Sequence, residues 1–297
     1  MEIRTLRYFM AIAREENMTK AAALLHVSQS TLSKQMQMLE DELGKKLFKR
    51  HSFSISLTEE GMLLRKRAAD VLLLTDKINA EFAALDDITG GNIYFGCAET
   101  YQIRYLANYI KEFKTRYPNF HYHITSGDTE QVEEKLNAGI LDFALIVEEP
   151  DYDNYNVLEL PEGDIWGLVM PSDSPLAAKE SIVFEDLLSL PLFCSGQGWR
   201  FDLPQWCGKG IEQLNLEGSF RLHYNASVFV KEGLGYLLTY DKLCDTSPDS
   251  GLTFRPLHPK LETKIYIIWK KGQLLTPIAN RFIQGLNEVN ANEPTGC

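Results

Sequence analysis

The sequence predicts two architectures in one chain: a small, mostly helical N-terminal domain, and a larger α/β region reached through one long helix. Three observations carry this. Apolar residues recur at helical spacing from Leu6 to Leu43, they recur at alternating intervals of four and three from Leu64 to Leu85, and beyond Gly91 strand-like runs alternate with helix-like ones. A length of 297 residues with 44% hydrophobic content suits two or three buried cores.

The first helix follows from Leu6, Phe9, Met10, Ile12 and Ala13, which share one face up to Glu15. "NMTK" interrupts it, and Asn17 or Thr19 can cap a second helix running through Leu25, because a short side-chain oxygen accepts an orphan amide proton at a helix start. His26 ends that helix. A third begins near Ser28, turns Leu32, Met36, Leu39 and Leu43 inward, and stops at Gly44. The turn between the second and third helices is too short for antiparallel stacking, so they cross steeply around Ala22, Leu25, Val27 and Leu32. This is the logic of a helix-turn-helix, whose second helix presents its N-terminal residues to the DNA major groove. Its outward positions are Ser28, Gln29, Ser30, Ser33 and Lys34. A glutamine can pair bidentately with adenine, serines adapt to bases or phosphates, and lysine suits guanine or phosphate.

Next comes "LGKKLFKRHSFSISLTEEG". Leu47 and Phe48 pack back on the helices, Lys45, Lys46, Lys49, Arg50 and His51 supply cations, and Phe53, Ile55 and Leu57 alternate as in a small wing. Charge supports a polyanion partner here. Residues 1–67 hold 12 Lys and Arg against 8 Asp and Glu, a balance of +4, whereas the remainder holds 18 against 33, or −15. The N-terminal part therefore reads as an all-α winged helix-turn-helix over residues 1–58.

Thr58 then caps a long helix whose first turn carries Glu59 and Glu60, where the helix dipole favours anions. Leu64, Ala68, Val71, Thr75, Ile78, Phe82 and Leu85 form a heptad seam of about three repeats, which predicts a dimerisation helix over residues 59–89, the alternative being a single amphipathic helix lying on its own domain. "DDITGG" ends it at Gly90 and Gly91.

"MTKAAALLHVSQSTLSKQMQMLEDELGKKLFKR" followed by "SLTEEG" closely resembles the DNA-binding segment of LysR-type transcriptional regulators. The resemblance continues more weakly through "GDTEQVEEKLNAGILDFALI" and "KEGLGYLLTY", so it spans nearly the whole chain. It implies a C-terminal two-lobed effector domain of the periplasmic-binding-protein type (type 2). It also implies binding to double-stranded promoter DNA at imperfect palindromes, a dimer of dimers, contact with RNA polymerase, and DNA bending that changes when a small-molecule effector binds. On the family's pattern Thr19, Lys20, Ser28, Gln29, Ser30, Thr31, Ser33, Lys34, Lys49, Arg50 and His51 would face DNA.

The α/β region shows its own rhythm: "NIYFGCA", Ile103 to Arg116, "FHYHITS", Thr129 to Ala138 and "DFALIVE", a βαβ succession. A second set, with "IWGLVM", "FEDLLSL", "RLHYN" and "GYLLT", lies between about Glu162 and Pro259, before "KIYIIWK" and a last helix from Pro277 to about Val289. Under the resemblance, lobe I is residues 90–161 and 268–297 and lobe II is 162–267. Ligands bind such sheets at strand C-terminal ends. Those ends place Glu99, Thr100, Tyr101, Ser126, Asp128, Thr129, Ser195, Gly196 and Asn225 at an effector site. Many relatives carry a small hydroxyl residue in place of Glu99. A glutamate beside Asp128 repels an anion unless Arg104, Arg200 or Arg221 turns inward, while Trp199, Phe201 and Trp206 offer walls for a flat or cationic ligand, or else belong to lobe core.

Other classes lack support in the sequence. There is no Gly-rich phosphate loop, G-x-S-x-G or H-E-x-x-H, so no enzyme is predicted and no cofactor or metal is expected. His121 and His123 share a strand face but read as a solvated edge. No window is apolar enough for a membrane span and the start lacks a secretory pattern, which predicts a cytoplasmic protein without membrane contact. A free-standing solute-binding protein would fit only the second part. Cys97, Cys194, Cys207, Cys244 and Cys297 form no C-x-x-C pair; a thiol switch between Cys194 and Cys207, loosely resembling peroxide-sensing relatives, is the alternative within the DNA-binding class.

Overall fold

In the computed structural model, residues 1–51, 54–84 and 90–292 are described, with only the backbone of Arg50, Ala83, Ala84, Ala291 and Asn292. Phe53, Leu85 and Cys297 lie outside the described residues. The chain divides after Ala83 into two compact units.

The first unit opens with α1 (Ile3–Glu15), α2 (Met18–Leu24) and α3 (Gln29–Leu43). Asn17 Oδ1 accepts the amides of Thr19 and Lys20, each at 3.0 Å, so asparagine rather than threonine caps α2. His26 (φ 54°) and Gly44 (φ 65°) take the left-handed conformation that stops α2 and α3. Leu6, Phe9, Ile12, Ala22, Leu32, Met36, Leu39 and Leu47 make the core. Leu43, expected inside, is exposed, because α3 outruns the bundle in its last turn. Strands β1 (Phe48–Arg50) and β2 (Ile55–Leu57) pair antiparallel as the wing. Thr58 Oγ1 accepts the Gly61 amide and donates to Lys46 O, pinning the start of α4 (Glu59–Ala84) to the wing. The early turns of α4 belong to this core, with Ala68 1% exposed, so the unit does not end at residue 58.

The second unit holds two sheets. Lobe I contains β3 (Gly90–Cys97), α5 (Ile103–Arg116), β4 (Asn119–Ser126), α6 (Thr129–Asn137), β5 (Phe143–Ile146) and β6 (Tyr155–Glu159). Lobe II follows with β7 (Asp164–Pro171), α7 (Phe184–Leu187), β8 (Pro191–Ser195), α8 (Leu203–Cys207), β9 (Asn215–Phe220), α9 (His223–Lys231), β10 (Tyr236–Tyr240), β11 (Leu252–Pro256) and β12 (Glu262–Thr263). The chain then returns through β13 (Tyr266–Lys270) and α10 (Pro277–Asn292). The sheet orders are β4-β3-β5-β13-β6 and β11-β7-β10-β8-β9, with β12 on β7. Because Tyr266 and Ile267 already pair with Ile146 and Leu145, the return to lobe I comes before residue 268.

Lobe I closes around Phe282 of α10, which contacts the rings of Phe95, Tyr109, Phe113, Phe120 and Phe143. Lobe II buries Trp166, Leu168, Leu192, Leu238 and Leu257. The two crossovers run side by side: the Leu160 amide bonds Ile265 O, and Thr263 pairs with Asp164. Trp166 Nε1–H donates to Thr263 Oγ1 at 2.9 Å, and that hydroxyl donates to Asp202 Oδ1 at 2.5 Å. These bonds tie the hinge to the floor of lobe II.

Candidate functional site

Two surfaces carry chemistry, one on each unit. On the first, Ser28 caps α3: its Oγ accepts the Thr31 amide at 3.1 Å and lies within hydrogen-bond reach of the Ser30 and Thr31 hydroxyls. Ser28, Ser30 and Thr31 therefore form one exposed hydroxyl cluster at the helix start. Gln29 and Lys34 are exposed and, among the described residues, meet no protein partner, whereas Ser33 is half-buried. Thr19 and Lys20 are exposed on the first turn of α2. On the wing Lys49 is exposed, and the imidazole of His51 lies 3.0 Å from Ser56 Oγ; the Arg50 side chain lies outside the described residues. Lys46 and Lys45 are less available, because they pair with Glu40 at 2.7 Å and Glu60 at 4.0 Å.

The heptad helix splits its seam. Leu64 and Ala68 pack inside their own unit, which corrects the expectation that they face a second chain. Val71, Ile78 and Phe82 are 41%, 44% and 73% exposed. Thr75 is half-buried and its hydroxyl donates to Val71 O.

In the second unit a cleft of about 1050 Å³ opens between the lobes. Glu99, Ser126, Asp128, Ser195 and Gly196 line it, as strand-end reasoning predicts. The other four expected residues do not. Thr100 is buried and accepts the Gln102 amide; Tyr101 is exposed beneath Lys242, 4.7 Å from its ring centre; Thr129 is buried in the first turn of α6. Asn225 is exposed on α9, because the chain turns helical at His223 instead of continuing the strand.

The cleft also recruits residues that sequence reasoning passed over, chief among them His223, Glu148, Glu130, Gln197 and Phe220. Glu148 was within reach of the same rule, since "DFALIVE" ends on it. Of the three candidate arginines, Arg200 and Arg221 reach the cleft, while Arg104 pairs with Glu162 outside it. Phe201 lines the cleft; Trp199 packs on lobe II core and Trp206 donates to Pro259 O at 2.7 Å. Gly198 lets this segment through, since a Cβ there would lie 2.2 Å from the Trp166 ring.

Electrostatically, Glu99 and Asp128 are not bare anions. His223 donates its amide to Glu99 Oε2 at 3.0 Å, and its Nδ1 lies 2.5 Å from the same oxygen. Burial raises the Glu99 carboxyl, but the His223 side chain, amide and charge outweigh it and leave it below its ordinary value. Asp128 caps α6 by accepting the Gln131 amide, and Arg221 stands 3.8 Å away. Glu148 is different. Burial and then the nearby Glu133, Asp202, Asp128 and Glu130 push its carboxyl up.

The cysteine pair lacks the setting of a thiol switch. Cys194 is fully buried and its thiol is driven up by burial; Cys207 is half-buried and also raised by burial. His121 and His123 are exposed, with His123 stacked on Tyr94 and 2.9 Å from Asn92 Oδ1. Among the described residues no cluster suits a metal, and no helix is long and apolar enough to cross a membrane.

Comparison with known proteins matches residues 3–62 to the bacterial regulatory helix-turn-helix protein model of the lysR family, and residues 88–291 to the LysR substrate binding domain. The chain is 29% identical over 287 residues to the uncharacterized HTH-type transcriptional regulator YybE of Bacillus subtilis, covering 96% of this chain and 97% of that one. It is 28% identical over 292 residues to the transcriptional activator IlvY of Haemophilus influenzae, covering 95% and 98%. The fold matches the crystal structure of CbnR, a LysR family transcriptional regulator, with TM-score 0.77 at 22% identity over 98% of this chain and 99% of that one.

Proposed function

The chain belongs to the LysR family of DNA-binding transcriptional regulators, and from that premise we propose that α3 reads promoter DNA while a small molecule in the interlobe cleft modulates the outcome. The observation that carries this is the free presentation of Gln29 and Lys34 in the first half of α3, in the same unit as a wing bearing Lys49 and His51. In this reading Gln29 and the Ser28, Ser30 and Thr31 hydroxyls meet bases or nearby phosphates, and Ser33 and Lys34 continue the contact. Thr19, Lys20, Lys49, Arg50 and His51 hold the backbone.

Val71, Thr75, Ile78, Phe82 and Leu85 then serve as the seam between two copies. Burying each large apolar side chain contributes about 1.5–3 kcal/mol. A paired helix supplies the two-fold symmetry that reading two half-sites requires, and a dimer of dimers in contact with RNA polymerase completes the assembly. The effector engages the cleft formed by Glu99, Ser126, Asp128, Ser195 and Gly196 together with Glu148, Gln197 and Phe201, and acts by favouring one lobe arrangement over another. Footprinting of the DNA upstream of the coding sequence, with and without candidate effectors, tests the reading. Protection of a two-fold symmetric site would support it, and no sequence preference over random DNA would refute it.

A further inference from the structure

The chemistry of the cleft narrows what it accepts. Its acidic lining residues are Glu99, Asp128, Glu130 and Glu148, set against Arg200, Arg221 and His223. Two positions that would hold an incoming anion are filled by the protein itself. Glu99 occupies the start of α9 through the His223 amide and imidazole, and Asp128 occupies the start of α6 through the Gln131 amide. Arg221 faces Asp128, and the Arg200 guanidinium lies 5.9 Å from the Phe201 ring centre.

What remains is one exposed cation, Arg200, which has no ion pair among the described residues, and one carboxylate without a counterion. Glu148, just past the end of β5, has no hydrogen bond or ion pair among the described residues, and Asp128, Glu130, Glu133 and Asp202 act on it as like charges. An anion placed there adds to this repulsion in a partly dry site, whereas a cation relieves it. The opposite lobe contributes apolar rings, Phe201 and Phe220, and the Gln197 amide, whose Nε2 is buried without a partner and calls for an acceptor. Resting on the reading that the cleft is the effector site, we propose that the effector is an organic amine: its ammonium group sits against Glu148, its body packs on Phe201 and Phe220, and an acceptor atom meets Gln197.

Calorimetry of the full-length protein with shape-matched pairs of opposite charge tests the class: tyramine against 3-(4-hydroxyphenyl)propionate, tryptamine against indole-3-propionate, and putrescine against adipate. An amine should bind at least about tenfold tighter than its carboxylate partner, and Glu148→Gln should weaken it by about tenfold or more. Three results each overturn the proposal: carboxylates binding as tightly as amines, no amine binding at all, or amine affinity unchanged in Glu148→Gln. Gly196→Trp separates this from the underlying reading, because a Cβ there meets nothing within 4 Å and the indole would fill the cleft. Carboxylate binding abolished by Gly196→Trp keeps the cleft and removes the amine. Ligand binding of either kind that survives Gly196→Trp removes the cleft itself.

Discussion

His223 holds Glu99 across the cleft with two contacts to one oxygen, although 124 residues separate them in the chain. One contact comes from the amide at the start of α9 and the other from the imidazole, so lobe II grips a carboxylate fixed just beyond β3 of lobe I.

Replacing Glu99 by Gln keeps the shape and removes the charge. The expected loss is about 1–2 kcal/mol at pH 7, modest because Glu99 is about one-third exposed and water screens the pair. The Glu99 carboxyl lies below its ordinary value, so its contribution is present above the usual glutamate range and fades as pH falls through the folded value. Thermal unfolding of both proteins at pH 7 and pH 4 should show the gap narrowing in acid.

Asp164 behaves with the opposite sign. Burial pushes its carboxyl up to about 6, despite the Thr100 and Gln102 side chains, and its Oδ2 is buried without a partner. The folded state then binds a proton more tightly than the unfolded state between about pH 4 and pH 6, so stability falls as pH rises through that window, by roughly 3 kcal/mol. Asp164→Asn should remove this component and raise the melting temperature at pH 7.5. Melting curves across pH 4.5 to 7.5 that keep the same slope in the variant would discount Asp164 as the titrating group.

Gln29→Ala should cost about 1–3 kcal/mol at a specific site and little on random DNA, since a bidentate base contact carries discrimination. Lys49→Ala and Arg50→Ala should each weaken every sequence and reduce the salt slope by about one. Binding titrations at several salt concentrations distinguish the two behaviours, and equal losses on specific and random DNA would take Gln29 off the base-reading list.

Ile78→Asp or Phe82→Asp should dissociate the paired helices, because a charge cannot be buried in a seam without a partner. Both side chains are exposed within one chain, so neither change disturbs its own core. Sedimentation should show a smaller species, and an unaltered one would exclude this face as the interface.

The sequence by itself determined whatever depends on neighbours a few residues away. Thr58 caps α4 by accepting the amide three residues onward, a short polar cap at Asn17 or Thr19 starts α2, and Gly44 ends α3 through a left-handed turn that its lack of a Cβ favours. Strand-end reasoning pointed to Glu99, Ser126, Asp128, Ser195 and Gly196, which line the cleft because a parallel sheet opens at the same end of each strand, and also to Thr100, Tyr101, Thr129 and Asn225, which do not. Only the tertiary structure decided which parts of a periodic stripe are covered, burying Ala68 and leaving Ile78 and Phe82 exposed on the same helix. It also decided the cleft's charge. Glu99 reads as a repelling anion until His223 arrives from the other lobe, and Glu148 reads as the end of a strand until Asp128, Glu130 and Asp202 gather near it. Charge compensation depends on distance in space, and residue spacing along the chain does not encode it.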